Sequence, residues 1–535
     1  MTASALLVQL LNGLAGASSL FLVSAGLSLI FGVTRIVNFA HGSFYMLAAY
    51  LTYTLAATLP LGAAAFYVAV PLAAASVGLA GLGVEVALLR RVYRAPELYQ
   101  LLLTFALVLV VADVVKLFWG SENLTGPAAP GLAGSVEIAG QLFPTYDLAL
   151  IGLGPLVAAG LWWLFYRTRW GVLIRAATQD REMVAVLGVD QARLFTSVFV
   201  LGSFLAGLGG ALQVPRQALT NVMDASIITE AFVVVVVGGM GSVPGALLAA
   251  ALIGVIDAFG VLVLPRASLV VPFVVMAVVL IVRPWGLLGR PEVQQRTAGG
   301  AIVTAGTVRV PPRWLAAVLA ALIAVPPFLP TFHVWVLVEI LAFALFAASL
   351  HLLMGTGGMV SFGHAASFGL GAYGAALLVT WTKAPMLLAF AAAPLAAAVG
   401  AALYGYFCVR LSSIYFAMLT LAFAQIAFAI VHQWTAFVVA GFFGGVAGGT
   451  FAFLKGSVFP NLLAVPMSVE PLVMVLLGGV QAPAGAPVGA AIYKLLDTVA
   501  TRYTEYWQLV LGAILILLVL AFPRGILGVV GDRRA

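Results

Sequence analysis

Long apolar runs constrain this chain more than any other feature of its sequence. A helix of about 20 apolar residues is long enough to cross a bilayer, and fourteen runs are near this length. Hydrophobic residues make up 63% of the chain and charged residues 8%, whereas soluble proteins have roughly half and a quarter. The sequence therefore predicts an all-α, polytopic transmembrane helical bundle in a lipid bilayer. The runs are 8–31, 62–88, 98–119, 146–166, 194–214, 242–264, 268–282, 314–330, 334–354, 386–408, 412–431, 435–453, 472–493 and 506–522.

The basic residues indicate how the chain is oriented. A net charge of +7 could suggest nucleic acid, but the arginines cluster beside the ends of apolar runs, as in cytoplasmic loops. Arginines fill the loops at 90–94 and 167–193, whereas residues 120–145 between them contain no Lys or Arg. We therefore predict that the two basic loops face the cytoplasm, that 120–145 faces outward, and that nucleic acid is not a partner.

The chain contains a direct repeat. The phrase at 38–50, Asn-Phe-Ala-His-Gly-Ser-Phe-Tyr-Met-Leu-Ala-Ala-Tyr, matches the phrase at 361–373, and the glycine-rich segment 236–246 matches 476–486. Residues 284–313 break the apolar pattern with polar, Gly and Pro residues. We predict two membrane halves, 1–283 and 314–535, that run parallel and are joined by a cytoplasmic linker at 284–313.

The second half is shorter than the first. The offset between matching residues is 323 at the histidine phrase and 240 at the glycine segment, so the second half lacks 83 residues. The loss removes the counterparts of the outward loop, of run 146–166 and of the basic loop. It would also place Arg524 and Arg533 on the outer side, against the positive-inside rule. An unusual topology and an internal deletion both fit, and we favour the deletion.

Residues 170–193 form the longest charged stretch between two apolar runs. Thr178 could cap a short helix, Asp180 and Glu182 suit its positive end, and Gly188 suits its stop. Met183, Val186 and Leu187 would share one helical face. Such a helix could dock into a groove on a soluble partner, although a solvated loop fits the composition as well.

Several residues near the repeated segments are candidates for a membrane pathway. The glycine segments 238–245 and 478–485 predict either re-entrant turns or close helix packing. His41 and His364 could pack, bond to the backbone or contact substrate, while Asn38 and Ser361 could cap the following helices. Ionisable residues within a membrane are functional candidates by default. Those in the two glycine regions are Glu230, Asp257, Glu470 and Asp497.

Other activities lack their sequence signals. None of the four lysines follows glycine in a phosphate-binding Gly-Lys-Ser/Thr motif. There is no zinc-ligand spacing and no plausible nucleophile–His–acid set. We therefore predict a protein that is not an enzyme and that has no cofactor and no metal site.

Several of these segments together resemble the permease subunits of bacterial ATP-binding-cassette (ABC) importers for branched-chain amino acids, fused in one chain. The first half resembles one type of subunit at Asn38–Gly42, Arg175–Gly188 and Gly238–Ser242. The second half resembles the other type at Gly358–Gly371, Ser413–Ala422 and Pro523–Gly525. Importers of urea and short amides share the pattern, so the substrate stays open.

The resemblance implies a location in the bacterial inner membrane, cytoplasmic ABC ATPase subunits and a periplasmic substrate-binding protein as partners, and a pathway between the halves. It implies that 172–190 is a coupling helix. The predicted coupling residues are Arg175, Ala176, Thr178, Asp180, Arg181, Glu182, Met183, Val186, Leu187 and Gly188. The predicted pathway residues are Asn38, His41, Glu230, Gly238, Gly239, Ser361, His364, Glu470, Gly478 and Gly479.

Two alternatives remain at this point. A secondary transporter or channel would work without an ATPase and would require pathway carboxylates such as Glu230. A non-transporting remnant of a fused permease would explain the shortened second half, which lacks a coupling segment of its own.

Overall fold

The computed structural model divides the chain into two compact units. One unit contains Met1–Glu292 and Gln508–Ile516, and the other contains Val293–Trp507 and Leu517–Ala535. The structure describes residues 3–34, 37–93, 95, 97–179, 181–263, 271–289, 320–322, 324–356, 359, 361–408, 417, 419–420, 434–455, 457–459, 462, 465–480, 484–521 and 526.

The first unit is helical apart from one small hairpin. Its helices are α1 (Ala3–Thr34), α2 (Ala40–Thr58), α3 (Ala65–Val84), α4 (Arg90–Val92), α5 (Glu97–Trp119), α6 (Thr145–Arg167), α7 (Arg169–Gln179), α8 (Arg181–Val186), α9 (Gln191–Ala211), α10 (Met223–Gly238), α11 (Val243–Val263) and α12 (Val271–Val282). A π-helical turn, Glu85–Leu89, joins α3 to α4, and a 3-10 turn, Gly62–Ala64, precedes α3. Strands β1 (Ser135–Ile138) and β2 (Gln141–Pro144) pair antiparallel, with Ser135 opposite Pro144.

The second unit repeats the helix order of the first. Its helices are α13 (Thr331–His351), α14 (His364–Thr382), α15 (Met386–Cys408), α16 (Trp434–Lys455), α17 (Val465–Gly478), α18 (Gly485–Tyr503) and α19 (Trp507–Ala521), the middle of which belongs to the first unit. A 3-10 turn, Pro326–Phe328, precedes α13, and a π-helical turn, Leu352–Thr356, follows it.

Nine helices in the described part of the chain are long and apolar enough to cross a membrane. They include Ser4–Thr34, Thr145–Arg167 and Gln191–Ala211, which correspond to predicted runs. Helices also follow the predicted runs at 242–264 and 435–453. The predicted all-α, multi-pass fold is confirmed, because an apolar chain in a bilayer must satisfy its backbone hydrogen bonds internally.

Some of the predicted runs were wrong. Run 472–493 is two helices, α17 and α18, because the glycine pair at 478–479 ends the first of them. Helices α2, α10 and α14 were not among the predicted spans, since polar and small residues interrupt their apolar character. Run 412–431 lies outside the described residues except for 417 and 419–420, as does the first part of run 314–330.

Equivalent helices pack in the same way within each unit. Helix α1 packs on α9 and α11 in the first unit, and α13 packs on α16 and α18 in the second. A Cβ on Gly210 would overlap the backbone of Tyr45, and a Cβ on Gly448 would overlap the backbone of Phe368. Small residues thus permit the same close helix crossing at equivalent places.

The connection between equivalent helices is shorter in the second unit. In the first unit the hairpin and α6 to α8 lie between α5 and α9. In the second unit 25 residues, 409–433, separate α15 from α16. Within the part of the chain that the structure describes, no hairpin and no counterparts of α6 to α8 lie between α15 and α16.

Candidate functional site

Two short helices, α7 and α8, connect the membrane helices α6 and α9. Helix α8 ends at Val186, and Gly188 has a φ of +81°, in the left-handed region that favours glycine. The Gly188 amide donates to the Ala185 carbonyl over 2.9 Å, and the Val189 amide donates to the Val184 carbonyl over 3.3 Å. The predicted stop at Gly188 is therefore present.

Three apolar side chains of this segment are largely exposed. Met183 is 56% exposed, Val186 82% and Leu187 74%, whereas Val184 is 4% exposed. An apolar cluster exposed beyond a membrane helix is typical of an interaction site. We call Met183, Val186 and Leu187 the α8 apolar cluster.

Thr178 does not start a helix as predicted. It lies in the last turn of α7, and its hydroxyl donates to the Arg175 carbonyl over 2.7 Å. Helix α7 begins at Arg169, nine residues before Thr178. Asp180 lies outside the described residues, and Arg181 opens α8.

Helix α7 is tied to the membrane helices on either side of the segment. The indole N–H of Trp170 donates to the Ser197 hydroxyl on α9 over 2.7 Å. The Arg175 guanidinium lies 4.9 Å from the ring centre of Tyr166 on α6, and it also donates to the Phe165 carbonyl. A force on α8 would consequently reach α6 and α9 through α7.

Both candidate histidines are buried and hydrogen-bonded. Nε2 of His41 lies 2.9 Å from the carbonyl oxygen of Val23 on α1. Nε2 of His364 lies 2.7 Å from the hydroxyl oxygen of Ser349 on α13, and the His364 ring stacks on Phe346. Each histidine therefore joins its helix to the first membrane helix of its unit.

The two histidine contacts occupy equivalent positions. The offset of 323 aligns Val23 with Phe346 and Gly26 with Ser349. A Cβ on Gly26 would lie 3.0 Å from Cε1 of His41. The first unit thus has a glycine where the second has the serine that bonds its histidine. Sequence reasoning missed this pairing, although the constant offset could have revealed it.

Neither Asn38 nor Ser361 caps its helix as predicted, because Phe39 and Gly363 occupy the N-cap positions. Helix α2 begins at Ala40, and neither amide atom of Asn38 has a hydrogen-bond partner within the described residues. Asn38 lies one residue too early to cap, because Phe39 occupies the N-cap. The Ser361 hydroxyl accepts from the amide of Gly363, over 3.3 Å, just before α14.

A threonine from another helix anchors the start of each histidine helix. The amide of Phe39 donates to Oγ1 of Thr104 on α5 over 3.3 Å. The amide of Phe362 donates to Oγ1 of Thr420 over 3.2 Å. Both threonines are completely buried. These contacts were not predicted, because threonines are common in membrane helices and carry no distinctive spacing.

The glycine segments are tight turns between closely packed helices. Gly239 has a φ of +100° and Gly479 a φ of +110°. A Cβ on Gly238 would overlap the backbone of Gly245, and a Cβ on Gly478 would overlap that of Gly485. The close-packing alternative therefore accounts for these four predicted residues.

The repeated Pro-x-Gly segment at 284–289 covers one of these turns. The amide of Leu287 donates to the Val237 carbonyl over 2.8 Å, and that of Leu288 donates to the Gly238 carbonyl over 3.0 Å. These carbonyls end α10 and have no partner within that helix. The segment is thus a helix cap and not only the start of a linker.

Glu470 belongs to a cluster of charges in the second unit. Nζ of Lys494 lies 3.3 Å from Glu470, 3.6 Å from Asp497 and 3.9 Å from Glu339. The ammonium group also lies 3.7 Å from the ring centre of Phe343. The Lys494 side chain is only 8% exposed. The cluster joins α13, α17 and α18 in the low-dielectric interior.

The first unit has the matching carboxylates without the lysine. Glu230 and Asp257 are exposed and form no ion pair within the described residues. The offset of 240 aligns Lys494 with Gly254. A Cβ on Gly254 would lie 2.9 Å from Cβ of Ala17, so α1 and α11 pack directly here. Glu230 therefore has no ion-pair partner within the described residues, whereas Glu470 is paired.

These features define a polytopic helical membrane protein with two units of similar helix packing and a connector, α7 and α8, that exposes apolar side chains. Within the described residues no group of three metal-ligating side chains is arranged to hold a metal ion. The family whose model matches the chain is described as branched-chain amino acid transport system / permease component, over residues 9–280, 333–435 and 429–519. The chain belongs to this family of membrane transport permeases.

Characterised relatives agree with the family match. The high-affinity branched-chain amino acid transport system permease protein BraD of Pseudomonas aeruginosa is 30% identical over 299 residues, which are 54% of this chain and 97% of BraD. The permease protein LivH of Escherichia coli is 29% identical over 304 residues, 54% of this chain and 97% of LivH. The permease protein LivM of Salmonella typhimurium is 30% identical over 93 residues, 17% of this chain and 22% of LivM.

Proposed function

We propose that this chain is the transmembrane permease of an ABC importer that carries branched-chain amino acids across the bacterial inner membrane. The family match covers both halves of the chain, and two curated permeases of such systems match over almost their whole length. Both permease halves would thus be supplied by one polypeptide. A periplasmic substrate-binding protein would deliver the amino acid.

The exposure of the α8 apolar cluster is the observation that carries this proposal. Met183, Val186 and Leu187 are all more than half exposed although they are apolar. A short helix with exposed apolar side chains fits a hydrophobic groove on a partner. In this proposal the partner is a cytoplasmic ATPase subunit, and the predicted coupling residues from Arg175 to Gly188 form the docking segment.

The anchoring of α7 suggests how ATPase closure would reach the membrane. Trp170 joins α7 to α9, and Arg175 joins it to α6. Movement of the docked segment would therefore tilt two membrane helices of the first unit together. Alternating access in transporters commonly proceeds by such rigid-body rocking of helix groups.

The shortened second half limits how the chain can contact the ATPase subunits. Its described residues contain no counterparts of α6 to α8 and no second α8 apolar cluster. We propose that the chain couples to its ATPases through the first half only. An internal deletion remains the origin that we favour for this asymmetry.

Among the predicted pathway residues, Glu230 is the strongest remaining candidate. It is exposed and forms no ion pair within the described residues, whereas Glu470 is paired with Lys494. His41 and His364 are buried braces between helices, so we assign them a positioning role. Asn38 and Ser361 stay secondary candidates at the starts of the same helices.

The docking proposal is tested by co-purification with the candidate ATPase subunits. The variant Leu187→Asp should lose the ATPase, because a carboxylate cannot enter an apolar groove without a large desolvation penalty. Leu142→Asp is the matched control, since Leu142 is 72% exposed and lies on the β-hairpin, outside α7 and α8. Equal ATPase recovery by both variants would exclude the α8 apolar cluster as the docking surface.

A further inference from the structure

An open groove runs between α3 and α9 on the first unit. It has a volume of about 740 Å³ and is lined mainly by apolar side chains. One wall carries Leu79, Leu82 and Val86, and the other carries Val200, Leu201 and Phe204. Leu79 is 65% exposed and Val86 44% exposed. We call this feature the α3–α9 groove.

The groove ends at two arginines on the same side. Arg90 and Arg193 line its end, beside Thr196 and Ser197. Arg90 donates to the buried carboxylate of Glu85 over 3.1 Å and to the Thr196 hydroxyl over 2.7 Å. Both bonds are made by Nη2, and a guanidinium group has five N–H donors, so Arg90 is held in place with donors beyond these two.

Arg193 is the more available of the two charges. Its side chain is 89% exposed, and its Nε atom lies 3.0 Å from the carboxylate of Asp190, which is itself 52% exposed. An exposed ion pair of this kind is weak and exchanges readily with other partners. The two terminal nitrogens of Arg193 can then present a fork to a phosphate group.

The dimensions of the groove match one leaflet of a bilayer. From Leu79 to Arg90 the helix rises by about 16 Å, at about 1.5 Å per residue. Half of a bilayer hydrocarbon core is about 15 Å thick. By the positive-inside rule the arginine end lies at the cytoplasmic leaflet, where anionic headgroups attract basic side chains.

We propose that the α3–α9 groove binds an anionic phospholipid, with an acyl chain along the apolar walls and the phosphate between Arg90 and Arg193. The groove lies along membrane helices, where water cannot fill an apolar cleft. An α-helix of a protein partner is about 10 Å wide with its side chains and would leave the arginine end without a matching charge. The basic end therefore favours a lipid.

The site is tested on the purified full chain by native mass spectrometry after exchange into phosphatidylglycerol or phosphatidylcholine with identical acyl chains. We expect preferential retention of phosphatidylglycerol, and Arg193→Gln should lower that preference about fivefold, as for one arginine at an anionic surface. Arg91→Gln is the control, because Arg91 is exposed but does not line the groove. Equal retention of both lipids by the unsubstituted protein would overturn the proposal.

A second pair of variants tests the groove itself. Gly78 lines the groove, and a Cβ there would meet Phe204 and the Val200 carbonyl at an ordinary 3.5 Å, so the side chain of Gly78→Leu should extend into the cleft. Gly83→Leu makes the same change on the same helix, where nothing lies within 4 Å. Gly78→Leu should lose bound lipid and Gly83→Leu should retain it. Equal retention by the two variants, or displacement of lipid by soluble glycerol phosphate, would contradict a lipid site here.

Discussion

The hydroxyl of Ser349 bridges the imidazole of His364 and the backbone of its own helix. Its oxygen lies 2.7 Å from Nε2 of His364 and 2.7 Å from the Phe346 carbonyl. The carbonyl can only accept, so the single hydroxyl proton points to it and Nε2 must donate. The Val23 carbonyl requires the same of His41. In both units Nε2–H of the histidine donates to the preceding membrane helix. The acceptor is a backbone carbonyl in the first unit and a serine hydroxyl in the second.

This arrangement predicts a non-additive pair of substitutions. Ser349→Ala removes the acceptor and leaves the buried Nε2–H of His364 unpaired, which should cost about 1–3 kcal/mol of unfolding free energy. The double variant Ser349→Ala/His364→Phe removes both polar groups and keeps a ring on Phe346. It should lose less stability than the sum of the two single variants, as measured by thermal unfolding in detergent. Additive losses would show that the bridge is not a coupled unit.

The threonine anchors predict a stability cost at two matched positions. Thr104→Val and Thr420→Val should each destabilise the protein by about 1–3 kcal/mol, because the amides of Phe39 and Phe362 lose their acceptors. Thr52→Val is the control. Thr52 is completely buried, but its hydroxyl bonds only a carbonyl of its own helix. The same thermal unfolding measurement compares all three, and equal shifts would refute the anchor role.

The lysine in the charge cluster predicts a large effect of charge removal. Lys494→Met should destabilise the second unit by about 1–3 kcal/mol, since it removes a buried ammonium group and leaves the partly buried carboxylates of Glu470 and Asp497 without it. Lys455→Met removes a lysine that pairs with Glu339 but is 42% exposed, and it should have little effect. Proteolysis of the two variants in detergent measures the difference. A Lys494→Met variant as resistant as Lys455→Met would mean that the cluster contributes little.

The glycine turn predicts a backbone effect. Gly239 has a φ of +100°, and a Cβ there would overlap the backbone of Gly289. Gly239→Ala should therefore lower the unfolding temperature and open the cap made by Leu287. Gly83→Ala, in an open helical position, should be neutral or stabilising. Hydrogen exchange at the Leu287 amide would report the opened cap directly, and unchanged protection would contradict the assignment.

Apolar length and repeat spacing predicted most of the architecture. Helices such as Gln191–Ala211 follow directly from their composition, because a bilayer leaves few alternatives to an apolar chain. Helices α2, α10 and α14 were missed because their burial comes from neighbouring helices. Packing against these neighbours places the three helices inside the bundle, and the hydropathy pattern of a single sequence does not contain this information.

The site was predictable to a smaller extent. The stop at Gly188 and the histidine positions could be inferred from residue type and spacing. The acceptor of each histidine could not, since Val23 acts through its backbone and Ser349 through its side chain. The pairing of Lys494 was missed as well, because Glu339 and Glu470 come from two other helices, α13 and α17.

ATP-driven uptake of leucine into proteoliposomes tests the central claim most directly. The chain is reconstituted with its ATPases and binding protein, and the unsubstituted protein is compared with Leu187→Asp and with the Leu142→Asp control. We predict uptake that needs ATP, is lost in Leu187→Asp and persists in Leu142→Asp. Leucine uptake driven by an ion gradient without any ATPase, or full ATP-driven uptake by Leu187→Asp, would contradict the account.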